Sequence, residues 1–239
     1  MTKFIRHATK SIFKALGFDI IKLSKSPKQT LIGLKNIPFK TIIDVGANKG
    51  QFAKYILNFF PEANIYCFEP LPEAFKILSK LSEKTRGKIK SFNFALGESK
   101  GYSEMFHHID HDSSSSFLRT TKLCTNLYPF TQKQAAVPVK RVTLDSWIKS
   151  FSIDLNPEIL IKLDVQGYED RVIRGGIKIF KNAKGCLLEV FLDKLYEDQA
   201  SFKDISFLLY SLGYEYVGNL NQEYADDGHV IYIDALFLK

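Results

Sequence analysis

Residues 41–50, TIIDVGANKG, limit the possible folds of this chain more than any other segment. A short β-branched run ends at Asp44, and a turn that contains Gly46 and Gly50 follows it. An apolar pattern with helical spacing begins near Gln51. This order predicts a strand, a tight turn and a helix N-terminus, the usual position of a nucleotide-like ligand in an α/β sheet. The glycines let backbone approach the ligand, and the helix start offers it unpaired N–H groups.

A second acidic residue follows the next predicted strand. Residues 64–68 form an apolar run, with Glu69 and Pro70 at its end. Glu69 comes roughly 20 residues after Gly46, the spacing of an acid that binds ribose hydroxyls in nucleotide-binding folds. A carboxylate there could accept hydrogen bonds from both hydroxyls of a diol. The alternative for Glu69 is a solvated acid at a strand end.

Strand and helix patterns alternate along the rest of the chain. Strands are predicted at 41–45, 64–68, 88–94, 157–163 and 184–190, and helices at 50–60, 72–85, 168–181 and 201–212. Two last strands, at 214–220 and 230–238, are predicted to form an antiparallel hairpin. This alternation predicts an α/β fold, with a mostly parallel sheet and helices on both faces. Between 98 and 157 the chain leaves this pattern, and residues 102–107 and 136–142 are predicted as strands that extend or flank the sheet.

Asp164 stands at the end of the fourth core strand. Ligands of open parallel sheets bind outside the carboxyl ends of the strands, so we expect Asp164 to face the same crevice as Asp44 and Glu69. The alternative for Asp164 is a cap of the following helix. Glu169 is ambiguous, because an acid in a first helical turn is favourable without any function.

The formal net charge of +7 is concentrated near the N-terminus. The first 28 residues hold seven lysines and arginines and one acid, Asp19, which leaves the rest nearly neutral. We therefore expect no nucleic-acid partner. Residues 1–37 are predicted to be a basic amphipathic helical extension of a domain at 38–239. The extension either packs on that domain as a cap or makes peripheral contact with an anionic membrane.

Cysteine usage and hydropathy bear on the compartment. The three cysteines have no C-x-x-C spacing, which favours a reducing environment. No apolar run approaches the roughly 20 residues of a membrane span, and no secretory signal pattern is present. These features predict a cytoplasmic protein, with peripheral contact at the inner membrane face as a possibility.

The histidine-rich loop at 107–116 offers further candidates. Its histidines and aspartates are suitable metal ligands, but no well-spaced partner pair completes a site, so no metal is predicted. A solvated loop is one alternative, and action of His108 on a substrate is another. Ser115 and Ser116 could close over a ligand, whereas a serine nucleophile is disfavoured because no G-x-S-x-G elbow occurs.

Two cofactors compete for the predicted crevice. A nicotinamide dinucleotide calls for G-x-G-x-x-G, which is incomplete here. S-adenosyl-L-methionine also needs a ribose-binding acid, and its ammonium group suits Asp44 and Asp164. Its carboxylate suits the helix start at residues 48–51, and the C-terminal hairpin favours the same choice. The residues therefore favour S-adenosyl-L-methionine.

Several segments together carry a family resemblance. They are IDVGANKGQF at 43–52, FEP at 68–70, ALG at 95–97, SS at 115–116, VTLD at 142–145 and IKLDVQGYE at 161–169. In this order they resemble the FkbM family of S-adenosylmethionine-dependent methyltransferases, from about residue 38 to residue 239. The resemblance implies a class I methyltransferase (Rossmann-like) fold. It also implies an enzyme that methylates hydroxyls of sugars, glycans or secondary metabolites. The family often has Glu where Gln166 stands, so no carboxylate role is carried over there.

Together, the residues and the resemblance give a predicted site. Gly46 would lie under the methionine part of the cofactor, Glu69 would hold its ribose, and Ala95 and Leu96 would border its adenine. The full cofactor set is Asp44, Gly46, Ala47, Asn48, Gly50, Gln51, Glu69, Pro70, Ala95 and Leu96. Asp164 and His108 are the candidate catalytic bases, and Ser115 and Ser116 are assigned to the substrate.

The predicted function is O-methylation of a small-molecule or glycan acceptor. One alternative is a nucleoside-binding interaction module without catalysis. A less favoured one is an NAD-dependent oxidoreductase.

Overall fold

A computed structural model describes residues 3–151, 155 and 158–239. The strands are β1 (Thr41–Val45), β2 (Asn64–Phe68), β3 (Ile89–Phe92), β4 (Ala95–Leu96), β5 (Gly101–His108), β6 (Gln134–Val142), β7 (Ile159–Leu163), β8 (Gly185–Phe191), β9 (Glu215–Tyr224) and β10 (Val230–Leu238). Within these ranges, seven strands form one sheet in the order β3-β2-β1-β7-β8-β10-β9. The pairs β3-β2, β2-β1, β1-β7 and β7-β8 are parallel, and β10 is antiparallel to both of its neighbours. The predicted α/β class with a C-terminal antiparallel hairpin is confirmed.

The described helices are α1 (Lys3–Ala15), α2 (Pro27–Thr30), α3 (Gln51–Leu57), α4 (Pro72–Lys84), α5 (Lys122–Leu127), α6 (Leu144–Phe151), α7 (Glu169–Arg174), α8 (Ile177–Asn182) and α9 (Phe202–Ser211). Helices α3 and α4 pack on one face of the sheet, and α6 to α9 pack on the other. Strand β1 shows why two layers are needed, because all five of its residues are buried. Ile43 and Val45 pack into one apolar cluster, and Ile42 packs into another on the opposite face. The period-2 geometry of a strand produces this division.

The predicted helix at 168–181 is two helices, α7 and α8. Gly175 lies between them, and a Cβ atom there would be 2.0 Å from the carbonyl oxygen of Gly97. This close backbone approach sets the break. Asp145 then caps α8, because its carboxylate oxygens accept hydrogen bonds from the N–H groups of Lys178 (3.2 Å) and Ile179 (3.3 Å).

The chain between β3 and β7 builds a second, three-stranded sheet in the order β4-β6-β5. The two predicted strands in this region exist, and they flank the main sheet instead of extending it. The loop after β5 is closed at its base. There Phe106 and Ser116 exchange backbone hydrogen bonds of 2.7 and 3.1 Å. A one-turn 3₁₀ segment, Asp112–Ser114, forms the tip of this loop.

The N-terminal region has two parts. From residue 7 to residue 25 nearly all side chains are exposed, so α1 does not pack on the domain as a cap over these residues. Leu31 and Leu34 are fully buried and join the core cluster of Phe39 and Ile42. The division between 37 and 38 stays a prediction. Within the described ranges, no helix combines the length and apolar character needed to cross a bilayer.

Candidate active site

A buried lysine connects the ends of the two central strands. Asp44 of β1 and Lys162 of β7 are direct neighbours in the parallel register. The Nζ atom of Lys162 lies 3.2 Å from Oδ1 of Asp44 and 3.3 Å from Oδ2 of Asp164. It also donates a 3.2 Å hydrogen bond to the carbonyl oxygen of Gly46. One ammonium group therefore fixes both acids and the turn between β1 and α3.

Burial and ion pairing shift the pKa values of Asp44 and Lys162 in opposite directions. Asp44 is fully buried, and burial raises its pKa, although Lys162 opposes the rise. Burial alone would lower the pKa of Lys162, but Asp164 and Asp44 outweigh it and raise that pKa above its ordinary value. Lys162 therefore stays charged. Asp164 is the accessible member of the cluster, with 37% of its side chain exposed.

Gly46 allows this contact between strand ends. Its φ of +75° lies in the left-handed region, and a Cβ atom would fall 1.9 Å from the carbonyl oxygen of Asp164. No side chain fits there without moving backbone. Gly46 is thus required by the approach of β1 to β7, in addition to any ligand.

Glu69 organises the next strand end. It is buried, its Oε2 accepts a 2.9 Å hydrogen bond from the N–H of Asn48, and its Oε1 accepts one of 2.8 Å from the N–H of Leu71. Burial raises the pKa of Glu69 to about 7, against the effect of these two N–H donors. The carboxylate therefore ties the turn after β1 to the start of α4.

Gln166 forms a polar hub beside Asp164. Its Nε2 donates to Oδ1 of Asp164 at 2.8 Å and to Oε1 of Glu189 at 2.6 Å. Its Oε1 accepts a 2.7 Å hydrogen bond from the hydroxyl of Tyr196. The backbone of Gln166 has a φ of +57°, and its carbonyl accepts a 2.7 Å hydrogen bond from the hydroxyl of Ser116. The neutral amide thus links two acids, one from β8, without adding charge.

Glu169 stabilises the loop after β7, which carries Asp164 and Gln166. It is buried, and its Oε1 accepts hydrogen bonds from the N–H groups of Val165 (2.9 Å) and Gly167 (3.3 Å). Burial raises its pKa to about 7. The role of this acid in the structure is to shape the loop that carries Asp164 and Gln166.

Three clefts open at this edge of the sheet, and Asp164 and Ser113 line all of them. The Glu69 cleft, about 590 Å³ with its open mouth, is also lined by Gly46, Asn48, Glu69, Pro70, Leu71, Ala95, Leu96, Met105, Phe117 and Tyr168. The Lys162 cleft is lined by Gly46, Ala47, Gln51, Phe52, Lys162, Glu189 and Asp234. The Tyr196 cleft, about 650 Å³, is lined by His111, Tyr128, Phe130, Thr131, Gln166, Glu189, Phe191, Tyr196 and Tyr232. The three clefts therefore converge on one carboxylate.

The loop after β5 covers the junction. Asp112 pairs with Lys49 at 2.8 Å, between Oδ2 and Nζ. Burial raises the pKa of Asp112, but hydrogen bonds from Lys49 and Asn48 outweigh burial and leave the pKa below its usual value. This contact joins the loop tip to the turn after β1.

Most of the predicted site residues lie together. Gly46, Asn48, Glu69, Pro70, Ala95, Leu96, Ser115 and Asp164 line the Glu69 cleft, and Ala47 and Gln51 line the Lys162 cleft. The other three predicted residues do not line a cleft but contact residues that do. Asp44 is paired with Lys162, and Ser116 donates a hydrogen bond to the carbonyl of Gln166. Gly50 packs closely on α4. A Cβ atom on Gly50 would be 2.6 Å from Leu81.

His108 is placed differently. It is fully buried in β5, burial lowers its pKa, and it lines none of the three clefts. Its backbone N–H donates a 3.1 Å hydrogen bond to the hydroxyl of Ser115. The expectation that His108 acts on a substrate therefore gains no support from its position. Among the residues the structure describes, no group of three or more His, Cys, Asp or Glu side chains is arranged to hold a metal.

Sequence reasoning missed several polar residues of the site. Lys162 carried an available signal, since it lies two positions before Asp164 and so shares its face of β7. Glu189 lies inside the apolar strand β8, two residues before its end, and Tyr196 lies in an irregular segment, so no local pattern linked either residue to Asp164. Only the tertiary fold brings them to Asp164.

The strand order, with ligand-sized clefts at the carboxyl ends of parallel strands, defines a class I methyltransferase fold. The fold is similar to the crystal structure of a methyltransferase FkbM from Methylobacillus flagellatus KT, with a TM-score of 0.53 and 11% identity. The similarity covers 84% of this chain and 44% of that chain.

Residues 44–216 match the methyltransferase FkbM domain, and the chain therefore belongs to this family of methyltransferases. It is 27% identical over 185 residues to the 2-O-methyltransferase NoeI of Sinorhizobium fredii, which covers 75% of this chain and 74% of the relative. It is also 23% identical over 147 residues to the hexuronic acid methyltransferase AglP of Haloferax volcanii, which covers 62% of this chain and 54% of that one.

The packing at Gly46 gives a stability prediction. Gly46→Ala should lower the free energy of unfolding by about 2–5 kcal/mol, because it adds a backbone clash to the strain of a positive φ. Gly228→Ala is the matched control, since Gly228 has a φ of +89° and open space around its Cβ position. It should cost only about 1–2 kcal/mol. Urea unfolding followed by the fluorescence of Trp147 measures both, and equal losses would contradict the close approach.

Proposed function

We propose that this methyltransferase uses S-adenosyl-L-methionine to methylate a hydroxyl group of a sugar, a glycan or a secondary metabolite. The observation that carries the proposal is the convergence of three clefts on Asp164. A donor, its amino-acid tail and an acceptor can each occupy one cleft, with their reacting ends at the same carboxylate. The names of the two relatives support a hydroxyl or sugar acceptor.

The Glu69 cleft fits an adenosyl group. Its walls include the apolar side chains of Leu71, Leu96 and Phe117, and Glu69 offers the polar atoms for a ribose diol. The glycine at position 46 leaves its floor without a side chain. These features support the predicted roles of Glu69, Ala95 and Leu96.

The Lys162 cleft fits the methionine part of the same cofactor. Asp164 and the carbonyl of Gly46 are suitable partners for an ammonium group, and the side-chain amides of Asn48 and Gln51 in the lining are suitable donors to a carboxylate. When bound, S-adenosyl-L-methionine supplies an electrophilic methyl group on a sulfonium sulfur. The task left to the protein is to align the acceptor and take up its proton.

Asp164 is the proposed general base. Lys162 holds its Oδ2 and Gln166 holds its Oδ1, so the carboxylate has a fixed orientation while part of it remains exposed. A hydroxyl that enters from the Tyr196 cleft can donate its hydrogen bond to Asp164, which accepts the proton as the methyl group is transferred. We prefer Asp164 to His108 for this role because only Asp164 lines the clefts.

The Tyr196 cleft is the proposed acceptor site. Aromatic rings of Tyr128, Phe191, Tyr196 and Tyr232 line it beside the polar groups of Gln166. Rings offer flat apolar surface for a sugar ring, and the polar groups fix its hydroxyls.

We also propose that α1 and the segment after it dock on an anionic membrane surface. Ile12, Phe13, Leu16, Phe18, Ile21 and Leu23 are all exposed, with side chains 41–71% accessible. Lysines alternate with them, at positions 10, 14, 22 and 25. Exposed apolar side chains beside basic ones suit the boundary between acyl chains and anionic headgroups. The cytoplasmic location stays a prediction.

Calorimetry with S-adenosylhomocysteine, followed by label transfer from S-adenosyl-L-methionine to candidate acceptors, tests the function as a whole. We expect binding and transfer. Binding without transfer to any acceptor would favour a nucleoside-binding module, and binding of NADH in the same assay would favour an oxidoreductase.

Asp164→Asn should lower kcat by about 10²–10⁴-fold, because the amide cannot take up the proton of the acceptor. The Kd for S-adenosylhomocysteine should change far less, because the side-chain oxygen of Asn still accepts a hydrogen bond from the ammonium group of the cofactor. Asp226→Asn, an identical change at the exposed hairpin turn, is the control and should leave both unchanged. Parallel losses of turnover and cofactor affinity in Asp164→Asn would show that Asp164 is a ligand only.

Affinity for S-adenosylhomocysteine should fall as the pH drops through about 7, the pKa of Glu69. The ionised carboxylate accepts from ribose hydroxyls, and protonation removes that capacity, so we expect up to about a tenfold loss from pH 8 to pH 6. Glu69→Gln should bind more weakly at pH 8 and lose most of this pH dependence. An unchanged pH profile in Glu69→Gln would assign the titration to another group.

Membrane docking can be measured by co-sedimentation with vesicles of phosphatidylcholine, with or without phosphatidylglycerol. The protein should bind only the anionic vesicles, and Ile12→Ser combined with Leu16→Ser should weaken binding at least about tenfold. Phe207→Ser removes an equally exposed apolar side chain from α9 and is the control. Equal binding by all three proteins would contradict the proposal.

A further inference from the structure

The Tyr196 cleft has an unusual charge balance. Asp164 and Glu189 line it, whereas no lysine or arginine is found among its described lining residues. His111, its one basic side chain, lies at the exposed rim, where its ring contacts the hydroxyls of Ser113 and Ser114. An incoming ligand thus meets acidic groups in the interior and no permanent positive charge.

Lys162, the cation of the adjoining cleft, does not neutralise the negative charge of the Tyr196 cleft. Lys162 is buried, and its Nζ is already within 3.3 Å of Asp44, Asp164 and the carbonyl oxygen of Gly46. The charge of this ammonium group is thus shared between two carboxylates, and its hydrogen bond goes to the carbonyl oxygen of Gly46. Lys162 lines the Lys162 cleft and not the Tyr196 cleft.

Burial and the neighbouring carboxyl groups of Asp164 and Asp234 raise the pKa of Glu189 well above its ordinary value, so Asp164 carries the negative charge of this cleft. Glu189 of β8 is paired in register with Asp234 of β10. The hydrogen bond to Glu189 comes from the neutral amide of Gln166, which reaches Oε1 at 2.6 Å. Among the described contacts, Oε2 of Glu189 is left to accept from a ligand hydroxyl.

We infer that the Tyr196 cleft selects acceptors without negative charge, and that Asp164, which shares its one cation, Lys162, with Asp44, determines this specificity. The inference rests on the proposed methyl transfer and names the class of acceptor for it. A neutral sugar donates a hydroxyl hydrogen to Asp164. A hexuronate or sugar phosphate brings a further anion beside Asp164 into a cleft whose described lining has no lysine or arginine to pair with it, so repulsion rejects it.

The test compares matched acceptors. p-Nitrophenyl glucoside and galactoside are paired with the corresponding glucuronide and galacturonide, and label transfer from S-adenosyl-L-methionine gives kcat/KM for each. The neutral member of a pair should exceed the charged member by at least about 100-fold. Equal values, or a preference for the uronide, overturn the inference.

Phe130→Lys probes the cause. Phe130 lines the Tyr196 cleft with 41% of its surface exposed, so a lysine can stand there and supply the missing cation. Relative kcat/KM for the uronides should rise at least about tenfold. Phe207→Lys adds the same charge on α9, away from the three clefts, and should leave the ratio unchanged. Equal effects of the two variants would overturn a local charge mechanism.

Binding without turnover separates this inference from the proposed function. Saturation-transfer NMR on the protein loaded with S-adenosylhomocysteine should detect the neutral glycosides and not the uronides. If neutral glycosides bind and receive no label, the inference stands and methyl transfer to them is wrong. If uronides bind as well as neutral glycosides, or if neither binds, the inference is overturned.

Discussion

The contact of Lys162 with Asp44 and Asp164 is the interaction on which the rest of the site depends. A fully buried carboxylate such as Asp44 is costly unless it is paired, and Lys162 is the cation that pairs it. The same ammonium reaches Asp164 and the turn at Gly46. The Asp164 carboxylate, in the loop after β7, is therefore tied through Lys162 to the two central strands β1 and β7.

A second layer of contacts sets the chemistry of the neighbouring acids without further cations. The amide of Gln166 donates to Asp164 and Glu189 and accepts from Tyr196. A glutamate at this position would add a negative charge to this group of acids. In this chain the neutral amide keeps the number of charges low, and Glu169 holds the loop through backbone N–H groups alone.

The sequence was sufficient for the parts of the structure that depend on local pattern. β-branched runs predicted the core strands, and the acids at strand ends predicted the edge where ligands bind, because both follow from period-2 geometry and parallel topology. The break at Gly175 and the separate sheet of β4, β5 and β6 depend on packing between distant segments, such as Gly175 against Gly97. Glu189 and Tyr196 reach Asp164 only through tertiary folding. The role expected for His108 stays a prediction that its buried position does not support, because polarity in a loop does not fix the direction of a side chain.

Ser113 lies at the tip of the loop after β5, and its position links the three clefts. This one residue forms part of the wall of all three clefts, and the loop that carries it is fixed at its base by the Phe106–Ser116 pairing and at its tip by Lys49. A displacement of the tip must therefore alter every compartment at once. The clefts proposed for the donor and for the acceptor therefore share one wall at Ser113.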